Sequence, residues 1–94
     1  MDIKQEESGS KGTFFVEDAG KRLAYMTYSK AGPNRIIIDH TEVSETLKGK
    51  NAGKQLVTAA VEYARKNKIK ILPLCPFARS VFDRVKEFGD VLDG

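Results

Sequence analysis

The run Lys48-Gly-Lys-Asn-Ala-Gly-Lys54 stands between an apolar segment ending near Val43 and a helical-period segment from Leu56. A small-residue turn that opens straight into a helix leaves the first backbone N–H groups unpaired and pointing outward, and the helix dipole adds partial positive charge there. Lys48, Lys50 and Lys54 add formal charge around it. The expected guest is a phosphate or pyrophosphate. Two further side chains have usable chemistry. His40 lies near the end of the apolar segment, and a neutral imidazole there can take a proton from an attacking ammonium. Its other reading is a packed histidine bonded to a backbone carbonyl. Cys75 immediately precedes a second helical segment, where the dipole lowers a thiol pKa. Its other reading is a small buried apolar residue.

The spacing excludes the common nucleotide motifs. A Walker A loop needs four residues between its glycines and a Ser or Thr after the lysine. Here three residues separate Gly49 from Gly53, and Gln55 follows Lys54. A dinucleotide-binding Gly-x-Gly-x-x-Gly is absent.

The elements that must position these residues follow from period and punctuation. Met1–Glu6 reads as a short edge strand and Ser8–Gly12 as a turn. Thr13–Glu17 is a strand, Asp18–Lys21 a tight hairpin turn, and Arg22–Ser29 an alternating strand. After the turn Ala31–Asn34, residues Arg35–Val43 form a central strand. Ile36-Ile-Ile38 is apolar on both faces, so both faces are expected to be covered. Leu56, Val57, Ala60, Val61 and Ala64 form one helical stripe, which Asn67 and Lys68 end. Ile69–Cys75 is a second central strand, broken where Pro73 cannot donate a ladder bond. Pro76 suits the first position of a helix. Phe77, Ala78, Val81, Phe82, Val85 and Phe88 continue that helix to Gly89, and Asp90–Gly94 is a tail or partial strand. The helix between Val43 and Ile69 permits a right-handed crossover joining two neighbouring parallel strands. The expected fold class is α+β, antiparallel strands plus one parallel central pair, with two main helices in one domain over residues 1–94. If the two central strands are neighbours, His40 and Cys75 are expected to face one cleft.

Composition narrows the setting. The chain has 94 residues, 40% of them apolar, a net charge of +3 and one cysteine. It is sized for one domain with a modest core. The lone cysteine fits a reducing cytoplasm and excludes a cysteine-built zinc site. No apolar run reaches the roughly 20 residues of a membrane span, and no apolar signal region opens the chain, so neither membrane insertion nor secretion is expected. Positive charge concentrates in Lys48, Lys50, Lys54, Arg65, Lys66, Lys68 and Lys70, set against Glu62. This fits an anionic ligand. No recognition motif or stacking array accompanies the charge, so a nucleic-acid partner is not expected.

Lys48-Gly-Lys-Asn-Ala-Gly53 resembles the Arg/Gln-x-x-Gly-x-Gly/Ala signature of GNAT-type N-acetyltransferases. His40-Thr-Glu-Val-Ser44, Gly53-Lys-x-Leu-Val57, Glu62-Tyr-Ala64 and Leu74-Cys-Pro-Phe77 are similar, in order and spacing, to the minimal YjdJ-type subgroup. The resemblance covers nearly the whole chain. It implies acetyl-CoA (or coenzyme A) as cofactor, held by Lys48, Gly49, Lys50, Asn51, Ala52, Gly53 and Lys54, with Cys75 and Phe77 beside it. It implies that the parallel pair splays at the cofactor site, and that the N–H of Val43 polarises the thioester carbonyl. His40 and Cys75 would be catalytic, by direct attack or through an acetyl-Cys75 intermediate; the family's usual chemistry is direct. Cys75 could also form a mixed disulfide with coenzyme A. Asn51 stands where a glycine is usual, and Asn tolerates the left-handed conformation best among the other residues. Lys48 replaces the usual Arg and loses its bidentate fork. Phe82 occupies the place of a Tyr acid in larger members. The pair of helices that shapes their acceptor site is missing, which implies an open groove for an exposed lysine, a peptide or a polyamine. The expected activity is therefore N-acetyl transfer to an amine by a cytoplasmic monomer. A coenzyme A-binding protein without turnover is the alternative.

Overall fold

Strands form where apolar and polar residues alternate, and in the computed structural model, which describes residues 1–93, they make one five-stranded sheet. β1 (Lys4–Ser8), β2 (Lys11–Asp18), β3 (Lys21–Lys30) and β4 (Arg35–Val43) pair antiparallel in chain order. β5 (Lys70–Pro73) joins β4 in parallel. Parallel neighbours need a long crossover, and α1 (Ala52–Asn67) supplies it. Lys68 then takes a left-handed conformation, φ 57°, and its N–H bonds back to Ala64 and Arg65, closing the helix. α2 (Pro76–Arg84) follows β5, with Pro76 in its first turn.

The core lies between the helices and one face of the sheet. Met26, Tyr28, Ile36, Ile38 and Ile71 from the strands pack with Leu56, Val57, Ala60 and Val61 of α1 and Ala78, Val81 and Phe82 of α2. Burial of each large apolar side chain contributes roughly 1.5–3 kcal/mol. Both helices therefore lie on the same face. Among the described residues no helix covers the other face, where Leu23, Tyr25, Thr27, Ile37 and Leu72 are half-buried. This corrects the expectation that the Ile36–Ile38 run is clad on both sides: Ile37 looks out beside Ser29 and Leu72, which are its ladder partners.

Other differences are local. β1 begins at Lys4. α2 stops at Arg84, because Val85 is extended (φ −104°, ψ 90°), and Phe88 reaches the core from a separate 3-10 helix, Lys86–Val91, that contains Gly89. Of the tail or partial strand expected over Asp90–Gly94, Asp90 and Val91 belong to this 3-10 helix, Leu92 makes an isolated parallel bridge to Ile71, the Asp93 N–H donates to the Ile71 carbonyl at 2.8 Å, and Gly94 lies outside the described residues. Among the described residues no helix is long and apolar enough to cross a membrane.

Candidate active site

Pro73 ends the ladder where the sequence places a break. The parallel register runs from Arg35–Lys70 to Ile38–Pro73 and stops. The Ile38 carbonyl then accepts from both Leu74 N–H (3.1 Å) and Cys75 N–H (3.2 Å), which turns the chain out of the sheet and into α2. β4 continues to Val43 alongside β3 only. A split opens between Asp39–Val43 and the start of α2.

A β-bulge decides what faces this split. Tyr28 pairs with Ile38, but Thr27 pairs with His40, so Asp39 is an extra residue in β4. Strict alternation would place His40 with Ile36 and Ile38, under the helices. The extra residue turns His40 and Glu42 to the open face, opposite Thr27 and Tyr25, and Thr41 and Val43 to the helix face, opposite Met26 and Ala24. The Ser44 N–H donates to the Leu23 carbonyl at 2.7 Å. That bond makes Ala24–Val43 a pair that does not exchange hydrogen bonds. The Val43 N–H therefore points away from β3, into the split, and the Thr41 N–H two residues earlier does the same.

His40 and Cys75 come to the same split from opposite faces of β4, which differs from the expectation that both side chains face one cleft. His40 is exposed, and its Nε2 lies 3.3 Å from Glu42 Oε1. The Tyr25 hydroxyl donates to Glu42 Oε2 at 3.1 Å, and the Tyr25 and His40 rings lie 6.0 Å apart. Hydrogen bonds from His40 and then Tyr25 hold the Glu42 carboxyl below the usual carboxylate range, and its bond to Glu42 raises the Tyr25 phenol. Tyr25 thus stands on the open face.

Cys75 is buried and caps α2 without a side-chain capping bond. Its Sγ donates to Thr41 Oγ1 at 3.4 Å. Burial pushes the thiol pKa up. The Thr41 hydroxyl and the backbone N–H groups of Ala78, Phe77 and Thr41 outweigh burial and hold it below its ordinary value. Position carries this effect: a side chain at a helix N-terminus meets unpaired amides. Thr41 was not singled out from sequence; nothing in its type or spacing marks it.

At the far end of β4, a 3-10 turn (Glu45–Leu47) leads into the basic loop. Gly49 (φ 79°) and Asn51 (φ 64°) are left-handed. Asn51 thus meets the conformational demand at which a glycine is usual, and makes no side-chain cap. The first bond of α1 runs from Gln55 N–H to the Asn51 carbonyl, 3.0 Å. The Ala52, Gly53 and Lys54 amides precede it and emerge from the helix end. Gly53 packs against Phe77: a Cβ there would overlap the Phe77 ring. Phe77 is 38% exposed and lies against the loop.

A cleft of about 340 Å³ runs along this loop. Its lining includes Val43, Lys48, Gly49, Asn51, Ala52, Gly53, Lys54 and Phe77, so most of the residues the sequence proposed share one surface. Lys50 is not among them; its N–H bonds to the Leu47 carbonyl at 3.1 Å. Lys48 Nζ is paired with Glu45 at 2.8 Å. Arg84, which sequence reasoning missed, closes the cleft from α2. Its spacing from Phe77, two helical turns along one face, was the signal. A larger cleft of about 830 Å³ lies elsewhere, between β1 and α1.

Solved N-acetyltransferase structures share this fold. A candidate GCN5-like N-acetyltransferase from Staphylococcus aureus, solved by NMR, is 38% identical, with a TM-score of 0.76 over 99% of this chain and 88% of that one. The ribosomal-protein-alanine N-acetyltransferase of Brucella melitensis biovar Abortus 2308 shares the fold at 15% identity, with a TM-score of 0.69 over 83% of this chain and 62% of that one. The aminoglycoside N-acetyltransferase AAC(6')-Iy, solved with CoA, shares it at 11% identity, with a TM-score of 0.63 over 88% of each chain. No curated protein matches. The chain belongs to the GCN5-related N-acetyl-transferase family, whose model matches residues 13–91. It is an N-acetyltransferase by family, and the cofactor of that family is acetyl-CoA.

Proposed function

We propose that the chain transfers acetyl from acetyl-CoA to a primary amine presented in an open groove, on an exposed lysine, a peptide or a polyamine. The observation that carries this reading is the continuity of one cleft from the Ala52–Lys54 amides to Val43. In this reading Ala52, Gly53 and Lys54 bind the pyrophosphate, with Lys54 and Arg84 supplying charge. Val43 N–H polarises the thioester carbonyl. His40 takes the proton of the incoming ammonium. With Nε2–H donating to Glu42, the basic lone pair falls on Nδ1. The amine nitrogen forms the C–N bond as the C–S bond breaks, Cys75 protonates the departing thiolate, and the surplus proton on the new amide nitrogen passes to the Cys75 thiolate and restores the thiol. A thiol held below its ordinary pKa gives up its proton readily, and Phe82, buried and without a hydroxyl, offers no other donor.

The test is calorimetric titration with acetyl-CoA, followed by acetylation of N-acetyl-lysine amide, a lysine peptide and spermidine. Expected is binding with 1:1 stoichiometry and turnover that His40→Ala lowers about 100-fold. Turnover indifferent to His40→Ala counts against the assignment of the base. A second reading, a coenzyme A-binding protein without turnover, is favoured by the absence of a Tyr hydroxyl at Phe82; binding without acetylation of any probe supports it.

A further inference from the structure

A second cleft of about 330 Å³ opens at the β3–β4 end, lined by Arg22, Leu23, Tyr25, Glu42, Val43 and Ser44 with Ala24. Val43 also lines the loop cleft. The two clefts thus meet at the residue whose N–H points into the split. One holds the helix N-terminus and its cations, and the other holds a carboxylate.

We infer that this second cleft is the acceptor site and that Glu42, held by Tyr25, selects an amine carried as a cation on an aliphatic stem. The inference rests on the acetyl-transfer reading and deepens it by naming the group that recognises the acceptor. The charged residues of the lining are Arg22 and Glu42. Arg22 is turned aside: its guanidinium pairs with Glu6 and lies 4.0 Å over the Phe15 ring. Glu42 meets His40 through Oε1 and the Tyr25 hydroxyl through Oε2, lines the cleft, and remains largely exposed, so its charge stays accessible. Leu23 and the Tyr25 ring provide half-buried apolar walls for a methylene chain. An alkylammonium on Glu42 lies beside His40, the group that must deprotonate it. A lysine side chain and a polyamine both have this chemistry. A carboxylate-bearing acceptor meets Glu42 as a like charge. Glu42 is then a binding residue, and Tyr25 a positioning residue acting through it.

The test uses the full chain saturated with CoA, labelled with 15N and titrated with spermidine and with N-acetyl-lysine amide. Expected are amide shifts confined to the Leu23–Tyr25 and His40–Ser44 segments. Glu42→Gln weakens both probes about tenfold, as loss of a charged hydrogen bond does. Tyr25→Phe weakens them less, and Glu42→Asp restores part of the loss. In turnover, Glu42→Gln raises KM for spermidine about as much, and leaves KM unchanged for an arylamine that is neutral at pH 7. Shifts elsewhere, no shifts, or equal effects on charged and neutral amines overturn the inference. Shifts at this cleft without acetylation leave it standing and overturn turnover instead. Acetylation with KM unmoved by Glu42→Gln does the reverse.

Discussion

The two halves of β4 share one strand but do different work. Ile36–Ile38 is paired on both edges, and Ile36 and Ile38 are fully enclosed by helices. Asp39–Val43 is paired on one edge, and its side chains go alternately to an open face and to a helix N-terminus. The bulge at Asp39 divides them. The paired half keeps its backbone polar groups in the ladder and stabilises the domain. The split half directs the Thr41 and Val43 amides into a gap, which is what a site needs and a core does not. Stability and chemistry should therefore separate by mutation at a boundary one residue wide.

The largest effect that would break this comparison lies in the paired half. Ile38→Ala removes a fully buried side chain and is expected to cost roughly 2–5 kcal/mol, read as a fall in the denaturation midpoint, while the folded fraction retains cofactor binding. Next is His40→Ala, expected to lower kcat about 100-fold, the usual scale for a lost general base, with an unchanged melting temperature because His40 is exposed. If His40→Ala unfolds the protein, the division of β4 fails. Within the loop, Lys54→Ala and Arg84→Ala are each expected to weaken acetyl-CoA about three- to tenfold, and Lys50→Ala distinctly less. An equal loss at Lys50 would show that the loop cleft is drawn too narrowly.

The smallest effect lies far from both halves and serves as a control. Glu7 accepts from the Tyr28 hydroxyl (2.5 Å) and the Tyr63 hydroxyl (3.0 Å), and pairs with Lys30 at 3.0 Å. The Tyr28 and Lys30 bonds lead in holding its carboxyl below the usual range. A lowered carboxylate contributes stability above its unfolded pKa, about 4.3, and loses it as pH falls through the lower folded value. Glu7→Gln is therefore expected to melt a few degrees lower at pH 7, the gap from the parent protein closing below about pH 4, with kcat unchanged throughout.

How far the chain could be read from its letters depended on whether local residues carried the cause. Gly49, Asn51 and Lys54 announce a turn and a helix start, because left-handed φ and helix ends have residue preferences. Pro73 announces the end of pairing because it lacks an N–H. The bulge was not legible. Asp39 looks like any strand residue, and the register that makes it surplus is set by Tyr28 and Thr27 on the neighbouring strand. Without the bulge, Thr41 could not be placed. The uncovered face escaped for a related reason: Ile37 is as apolar as its neighbours, and only the placement of both helices on one side shows that it looks outward. Arg84 was within reach, since its distance from Phe77 is two helical turns.

A strand edge left open inside a sheet is also a hazard. The Val43 N–H, which points into the split, would equally pair with a strand from another molecule. The fold guards that opening with what it already has. Asp39, His40 and Glu42 put polar and charged groups along the exposed border, and Cys75 occupies one amide from within. Self-association at high concentration should therefore fall when coenzyme A fills the gap, so that the ligand also acts as the protein's own solubiliser.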